Sequence, residues 1–510
     1  MTGKGSGAKA CGKPPEKAAD HKDRKERYRQ SMLLITAILF PMIAGPFAAL
    51  YPERKDGSRT RRYAGIMVLT DILCIIAALY GKAVTLFCIT DRAVFGFSYD
   101  SFGRLFLSVV LILYTAVCFY AFEYMKTEER PEMFFSFYFV SLGALVAISM
   151  SANLLTLYFC FELASLSSVP LVLHEMTKEA VAAGLKYLFY SVAGALMGLL
   201  AVFFVYYHSV GDAAFIPGGI IERSLLSGNE AVFQAIIFIG IIGFGTKAGM
   251  YPMHGWLPTA HPIAPAPASA LLSGIIAKAG VFAIVRLIFY SVGVELLRGT
   301  WVQYAWMTLC LLTILMGSTC AFHEKILKKR LAYSTVSQIS YILLGLSVMT
   351  TEGFKGGMLH LLSHAVSKGC LFLVAGIFIC KLGKRSVTEL KGTGREMPVT
   401  LWCFMLASLS LVGIPPMGGF TSKWVLAGAA LGDGMGIFSV LPPVVLLISA
   451  LLTAVYLFPI AVDAFFPGRD FDLSGTENKE PPLFMTIPLM LLCLAALMVG
   501  VFGGRIVELI

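Results

Sequence analysis

The sequence predicts an all-α, polytopic membrane protein. Three observations carry that prediction. Only 14% of the 510 residues are charged and 57% are hydrophobic, whereas soluble domains carry roughly 25% charged residues. Apolar stretches long enough to span a hydrocarbon core, about 20 helical residues each, recur along the whole chain. The segments between them are too short to hold a soluble domain, the longest lying near 208–230 and 466–482. The net charge of +10 does not point to nucleic acid, because the basic residues gather in the N-terminal tail and in short loops, where they act as topology signals.

Taken in order, residues 1–30 contain nine Lys and Arg with several Gly and Pro, a composition that predicts a disordered basic tail. The rest, 31–510, reads as one integral membrane domain of about fourteen spans. These lie near 31–50, 63–80, 103–124, 133–151, 153–174, 180–207, 231–251, 262–290, 301–321, 327–349, 355–380, 398–429, 438–465 and 483–505. Alternate loops are basic: Arg54, Lys55, Arg59, Arg61 and Arg62; then Lys325, Lys328, Lys329 and Arg330; then Lys381, Lys384, Arg385, Lys391 and Arg395. The positive-inside rule places 51–62, 322–330 and 381–396 in the cytoplasm and both termini outside, although the tail's own charge would favour the opposite. The eleven cysteines are scattered singly, with no CxxC pair and no Cys/His spacing for zinc. They read as small buried side chains, and no metal site, iron–sulfur cluster or other cofactor is expected.

Charged residues inside spans are costly and mark pathways or packed interiors. Glu162 lies among apolar neighbours in LYFCFELASLSSVPLVLH, where a hydrogen-bonded carboxyl used for packing is the plainer alternative. Lys247 sits in GFGTKAGMYPMHGWLP, close enough to a helix end to snorkel, and Lys278 sits in LLSGIIAKAGVFAIV, where apolar sequence continues on both sides. His360, His364 and Lys368 follow one another at i, i+4 and i+8, so they share a face of one helix. Two imidazoles and a lysine on an apolar helix read as a proton relay. A metal would want a further ligand that this segment lacks. In LVGIPPMGGFTSKWVL, Gly413, Pro415 and Pro416 break the helix just before Lys423, and Pro252 breaks the span that holds Lys247. Broken backbone at membrane depth survives where it is buried or lines a cavity. Two such spans in corresponding places point to an inverted repeat, about 133–290 and 301–465, with an ion path at its interface.

Several of these segments resemble the antiporter-like subunits of respiratory complex I, Mrp-type sodium/proton antiporters and energy-converting hydrogenases. The residues concerned are KAGMYPMHGWLPTAHPIAPAPASALLSGIIAKAG (247–280), RLAYSTVSQISYI (330–342), HLLSHAVSKGCLFLVAG (360–376), GIPPMGGFTSKW (413–424) and FELASLSS (161–168). The resemblance covers roughly 60–430, and its wording is nearest the hydrogenase-linked and Mrp-like branches. It implies fourteen helices in two inverted five-helix repeats with the seventh and twelfth broken, in a prokaryotic cell membrane beside other membrane subunits of a respiratory, hydrogenase or Mrp complex. Glu162 and Lys247 would form the charge pair of a first half-channel, and Lys278 the central relay. His364 with Lys368 would follow, and Lys423 would end the second half-channel, moving protons or exchanging them for sodium. His254 and His261 match the pattern as structural or intake residues, and Asp71 has no counterpart. No redox or nucleotide motif is present, so the driving energy would come from a partner subunit or an opposing gradient. Two other classes compete: a non-conducting structural spacer, and a stand-alone secondary transporter for an organic solute.

Overall fold

The computed structural model describes residues 21–51, 57–90, 93–209, 213–226, 228–468 and 477–508. Among these, twelve helices are long and apolar enough to cross a membrane, which makes the chain a multi-pass helical membrane protein. The first seven long helices are α1 (His21–Ala49), α2 (Ser58–Tyr80), α3 (Ser101–Tyr124), α4 (Pro131–Ser149), α5 (Leu154–Val172), α6 (Lys178–His208) and α7 (Glu230–Ala248). Short α8 (Leu257–Ile263) and α9 (Ala266–Leu271) follow, then a π turn, Leu272–Ile276, and α10 (Lys278–Val285). The chain continues through α11 (Trp301–His323), α12 (Leu327–Ser347), α13 (Thr351–Leu382), the single turn α14 (Thr393–Glu396), α15 (Pro398–Val412), α16 (Gly418–Gly432), α17 (Ile437–Phe465) and α18 (Leu483–Val507).

Most boundaries follow local chemistry. The side chains of Asp100, Asn153, Thr177 and Thr350 accept the backbone N–H three residues on and so cap α3, α5, α6 and α13. Gly249, Gly383 and Gly413 close α7, α13 and α15 in the left-handed conformation. The predicted 262–290 span starts later, at Ala266, because Pro262, Pro265 and Pro267 withhold backbone donors and set off α8 as a separate piece. The predicted 398–429 span divides into α15 and α16 around 413–417. The basic tail is also shorter than expected. Residues 21–30 already form the first turns of α1, a stretch with no Gly or Pro and mostly Lys, Arg, Glu and Gln, which favour helix. Residues 1–20 lie outside the described residues, as do Arg54 and Lys55.

One element was not anticipated: an antiparallel hairpin of β1 (Val84–Cys88) and β2 (Val94–Phe97), in register Val84↔Phe97 and Cys88↔Val94. It extends through the bridges Phe97↔Ser151 and Asn153↔Ala214, and so ties together loops at one end of the bundle. The basic loops gather at the other end. There Ile326 bridges Ser386, Arg59 pairs with Glu132 at 3.5 Å, and Glu396 takes Lys479 at 2.9 Å.

Burial is graded. Every residue of one 18-residue stretch within Ala266–Val292 is buried, and this segment forms the axis of the bundle, whereas only 28% of the residues in such a stretch of α2 are buried, at the rim. Close backbone approach is concentrated at the second break. A methyl on Gly419 would strike the Ser410 carbonyl oxygen, and one on Gly500 the Pro416 carbonyl oxygen. Gly419→Ala is therefore expected to cost about 1–3 kcal/mol through overpacking, read as a lower unfolding temperature of the detergent-solubilised protein.

Candidate functional site

The first cluster is built where α5, α6 and α7 meet. Lys247 lies in the last turn of α7 and is buried. Its ammonium donates to Ser165 Oγ at 3.0 Å and to Tyr187 Oη at 2.5 Å, and stands 4.6 Å from the Tyr187 ring centre. Tyr187 Oη also shares a 2.7 Å hydrogen bond with Ser168 Oγ, which in turn donates to the Ser165 carbonyl. A lysine has donors only, so the hydrogen bonds run outward from Lys247 through Tyr187 to Ser168. Glu162 stands one turn before Ser165 on α5, half-buried, and its Oε1 has no hydrogen-bond partner. The expected charge pair is therefore not closed: Lys247 is held by hydroxyls, with Glu162 acting on it through space. Ser165 stands one turn from Glu162 on the same side of α5, and its hydroxyl and that of Tyr187 reach the lysine first.

The break after Lys247 is held from within, since Trp256 Nε1 donates to the Thr246 carbonyl at 2.8 Å across the turn that contains Pro252. His254 stacks on Tyr251, and buried His261 stacks on Phe372 with centroids 4.6 Å apart.

The second cluster lies on the bundle axis. The π turn ends just before Lys278, whose ammonium donates to the Ser273 carbonyl. Ser273 Oγ and Thr335 Oγ1 are 2.7 Å apart, and Thr335 donates to the Leu331 carbonyl at 2.9 Å. The same carbonyl accepts from Lys368 at 3.0 Å. Two fully buried lysines on different helices are thus bridged by Ser273, Thr335 and Leu331, each ammonium donating to a backbone carbonyl. α7 and α10 cross at Gly280, where an added Cβ would fall 3.0 Å from Lys247 Cβ and strike the Phe244 carbonyl oxygen. That contact is how Lys247 comes beside the Lys278 helix.

The third cluster joins α13 to the second break. His364 has no hydrogen-bond partner on either ring nitrogen, and its ring faces His360 at 6.1 Å. His360 Nδ1 is 2.9 Å from Ser422 Oγ, and Nε2 is 3.1 Å from Gln338 Oε1. When Ser422 gives its proton to the Gly419 carbonyl, Nδ1 is the donor of the His360–Ser422 pair. Nε2 then either donates to the Gln338 oxygen, as an imidazolium, or accepts from the amide nitrogen after the amide turns over. The Gln338 orientation and the His360 charge are coupled. Lys423 donates to the Leu411 and Val412 carbonyls at 2.6 and 2.9 Å, the last free acceptors of α15 before Gly413, Pro415 and Pro416. It also lies 5.1 Å from the Tyr341 ring centre.

Sequence reasoning missed Tyr187, Ser273, Thr335, Gln338 and Ser422. The legible signal was the buried Ser/Thr/Gln stripe of α12, Ser334 through Tyr341. It also missed the buried Arg286, which makes two hydrogen bonds to the Asp100 carboxylate and is ringed by Phe102, Phe215, Phe282 and Tyr290 at 4.4–5.2 Å. Asp71 stays apart from all three clusters. Thr115 donates to it at 2.8 Å, and it lines an apolar cavity of about 780 Å³ between α2, α3 and α18. Cys74, Cys118, Cys160, Cys310, Cys320, Cys370, Cys380, Cys403 and Cys493 form no disulfide.

Comparison with known proteins bears on this geometry. Residues 151–452 match the family model described as NADH:quinone oxidoreductase/Mrp antiporter, TM. NADH-quinone oxidoreductase subunit N of Desulforudis audaxviator is 31% identical over 415 residues, 78% of this chain and 81% of the relative. Hydrogenase-4 component B of Escherichia coli is 32% identical over 64% of this chain, which spans 49% of that longer protein. A Na(+)/H(+) antiporter subunit of Alkalihalophilus pseudofirmus is 28% identical over 78% of this chain and 80% of the relative. Among solved structures, an archaeal membrane-bound sulfane sulfur reductase superposes with a TM-score of 0.79 at 22% identity, covering 94% of this chain and 96% of the other. The Mrp complex from Dietzia superposes with a TM-score of 0.75 at 20% identity, covering 96% of each chain. These superpositions establish a shared fold. The fold, the two broken helices and the lysines they carry have the same explanation: the chain belongs to the NADH:quinone oxidoreductase/Mrp antiporter transmembrane family.

Proposed function

We propose that this chain is the proton-conducting membrane subunit of a multi-subunit respiratory, hydrogenase or Mrp-type complex in a prokaryotic cell membrane. The observation that carries the reading is the closeness of two buried lysines: Lys278 donates to the Ser273 carbonyl, the Ser273 hydroxyl pairs with that of Thr335, and Thr335 and Lys368 share the Leu331 carbonyl. A structural spacer gains nothing from two buried ammonium groups, each costly to remove from water. A proton relay requires groups of this kind in series.

In this reading the path begins at Glu162 and Lys247 and crosses to Lys278. It continues through Lys368, His364 and His360 and ends at Lys423. Glu162 controls Lys247 by its distance, since an approaching carboxylate favours the protonated ammonium and a receding one releases it. The twelve apolar helices are completed to fourteen spans by α12 and by the α15–α16 pair. The two broken spans, α7–α8 and α15–α16, mark corresponding places in the two inverted repeats. The end carrying the basic loops faces the cytoplasm. The chain supplies the conduit, and a partner subunit or a sodium gradient supplies the energy.

The test is Lys278→Ala in membrane vesicles, with proton movement followed by quenching of a weak-base acridine dye. The complex is driven by its electron donor in one arm and by an imposed sodium gradient in the other. Proton movement is expected to stop while the complex still assembles. Unchanged movement in both arms overturns the reading.

A further inference from the structure

Three thiols that the relay does not use meet inside the bundle, each from a different helix. Cys370 lies on α13, two residues beyond Lys368, Cys403 lies on α15 and Cys493 on α18, and all three are buried. The Cys370 and Cys493 sulfurs stand 3.6 Å apart. Both thiols have the Cys403 carbonyl within weak hydrogen-bond reach, at 3.8 Å from Cys370 and 3.5 Å from Cys493. The backbones are close as well, since a methyl on Gly369 would lie 3.6 Å from Leu492 Cδ1. Cys403 and Cys493 also line an apolar cavity of about 410 Å³ that reaches Pro416 at the second break. Two other walls of the cavity, Leu406 and Leu494, are exposed on the outer surface of α15 and α18, so it opens toward lipid.

We infer that Cys370 and Cys493 are a redox-modifiable pair, which an apolar oxidant of the quinone class, arriving from the lipid, joins in a disulfide that ties α13 to α18 and slows transport. In that step two S–H bonds break and one S–S bond forms. The thiols give up two electrons and two protons, and the quinone takes them up to become a hydroquinone. Cys493, which lines the cavity, meets the quinone, and Cys370 behind it completes the bond. The sulfurs must close from 3.6 Å to about 2 Å, a distance that side-chain rotation covers because the two helices already touch. The lipid route matters, since buried structural cysteines are inert to reagents in water. The effect on transport rests on the conducting role proposed above. Lys368 stands two residues from Cys370, and α18 also holds α16, whose Thr421 donates to the Gly500 carbonyl at 3.1 Å beside Lys423. The plainer account is that three small apolar side chains simply pack there. The two accounts separate at an apolar oxidant.

The experiment treats the assembled complex in vesicles with duroquinone, a fully methylated quinone, and washes the quinone out before proton transport is measured. A second portion is denatured, its free thiols are blocked with N-ethylmaleimide, and mass spectrometry looks for the peptides joined through Cys370 and Cys493. The expected result is the joined pair in most of the protein, a transport rate lowered several-fold, and reversal of both by tributylphosphine, an apolar reductant. Cys493→Ala is expected to transport at the untreated rate with or without duroquinone. Free Cys370 and Cys493 after treatment overturn the proposal. A joined pair with unchanged transport also overturns it, as does equal slowing of Cys493→Ala. If the untreated complex moves no protons, the conduction reading fails instead, and the joined peptides still decide whether the pair is a site of oxidation.

Discussion

Replacing Lys247 with alanine is expected to reduce proton transport by about 10² or more, the scale set by loss of a positioned proton-transfer group, without preventing assembly. The reason lies in how the ammonium is held. Its partners are Ser165 and Tyr187, and Tyr187 is already hydrogen-bonded to Ser168. Truncation therefore leaves hydroxyls that can pair with one another, and no charge is stranded within hydrogen-bond reach. Lys247→Arg should be nearly as inactive, because a guanidinium stays protonated. Glu162→Gln should retain assembly and lose most transport, since Glu162 acts on Lys247 across space and makes no ion pair with it. Tyr187→Phe separates the two influences. It removes a hydrogen bond to the ammonium but leaves the ring beneath it, and a several-fold reduction is expected. Dye-quench rates in vesicles, normalised to the amount of assembled complex, would check the series. A Lys247→Ala variant with full transport would remove Lys247 from the path.

The largest structural effect is expected at Asp100. Arg286 is 1% exposed and inside a box of four aromatic rings, while its partner carboxylate is 37% exposed. Removing one partner of a buried pair strands the other charge, at about 3–5 kcal/mol, and Asp100→Ala also deletes the cap of α3. The pair is asymmetric, so the two deletions should differ. Arg286→Met leaves Asp100 able to meet water and the Gly103 N–H, and should be tolerated better. The expected result is little assembled Asp100→Ala protein in the membrane, and recovery in the double variant Asp100→Ala/Arg286→Met. Equal loss from both single variants would show that the pair has no buried-charge character.

The residues of the proposed pathway were legible in the chain because lysine and histidine in apolar segments are rare and expensive. Lys247, Lys278, His360, His364, Lys368 and Lys423 each stand out against leucine and alanine, and no fold is needed to notice them. The two breaks were legible for an equally local reason, since Pro252, Pro415 and Pro416 withhold backbone donors whatever surrounds them. The hydroxyl partners were not legible. Serine and threonine are common in membrane helices, and Ser273 and Thr335 become a pair only when α12 packs beside the π turn. The hairpin at Val84–Phe97 was hidden because two short apolar strands look like loop beside twenty-residue spans.

The sequence by itself determined that this is a multi-pass helical protein, where its spans lie and which ionisable residues they hold, because hydropathy and proline geometry are local. Only the tertiary structure decided which of those residues meet. It bridged Lys278 and Lys368 by Ser273, Thr335 and Leu331, left Glu162 short of an ion pair with Lys247, and set the Cys370 thiol against that of Cys493. A hydrogen bond joins groups within about 3 Å, and which helix faces approach that closely is decided by packing between segments far apart in the chain.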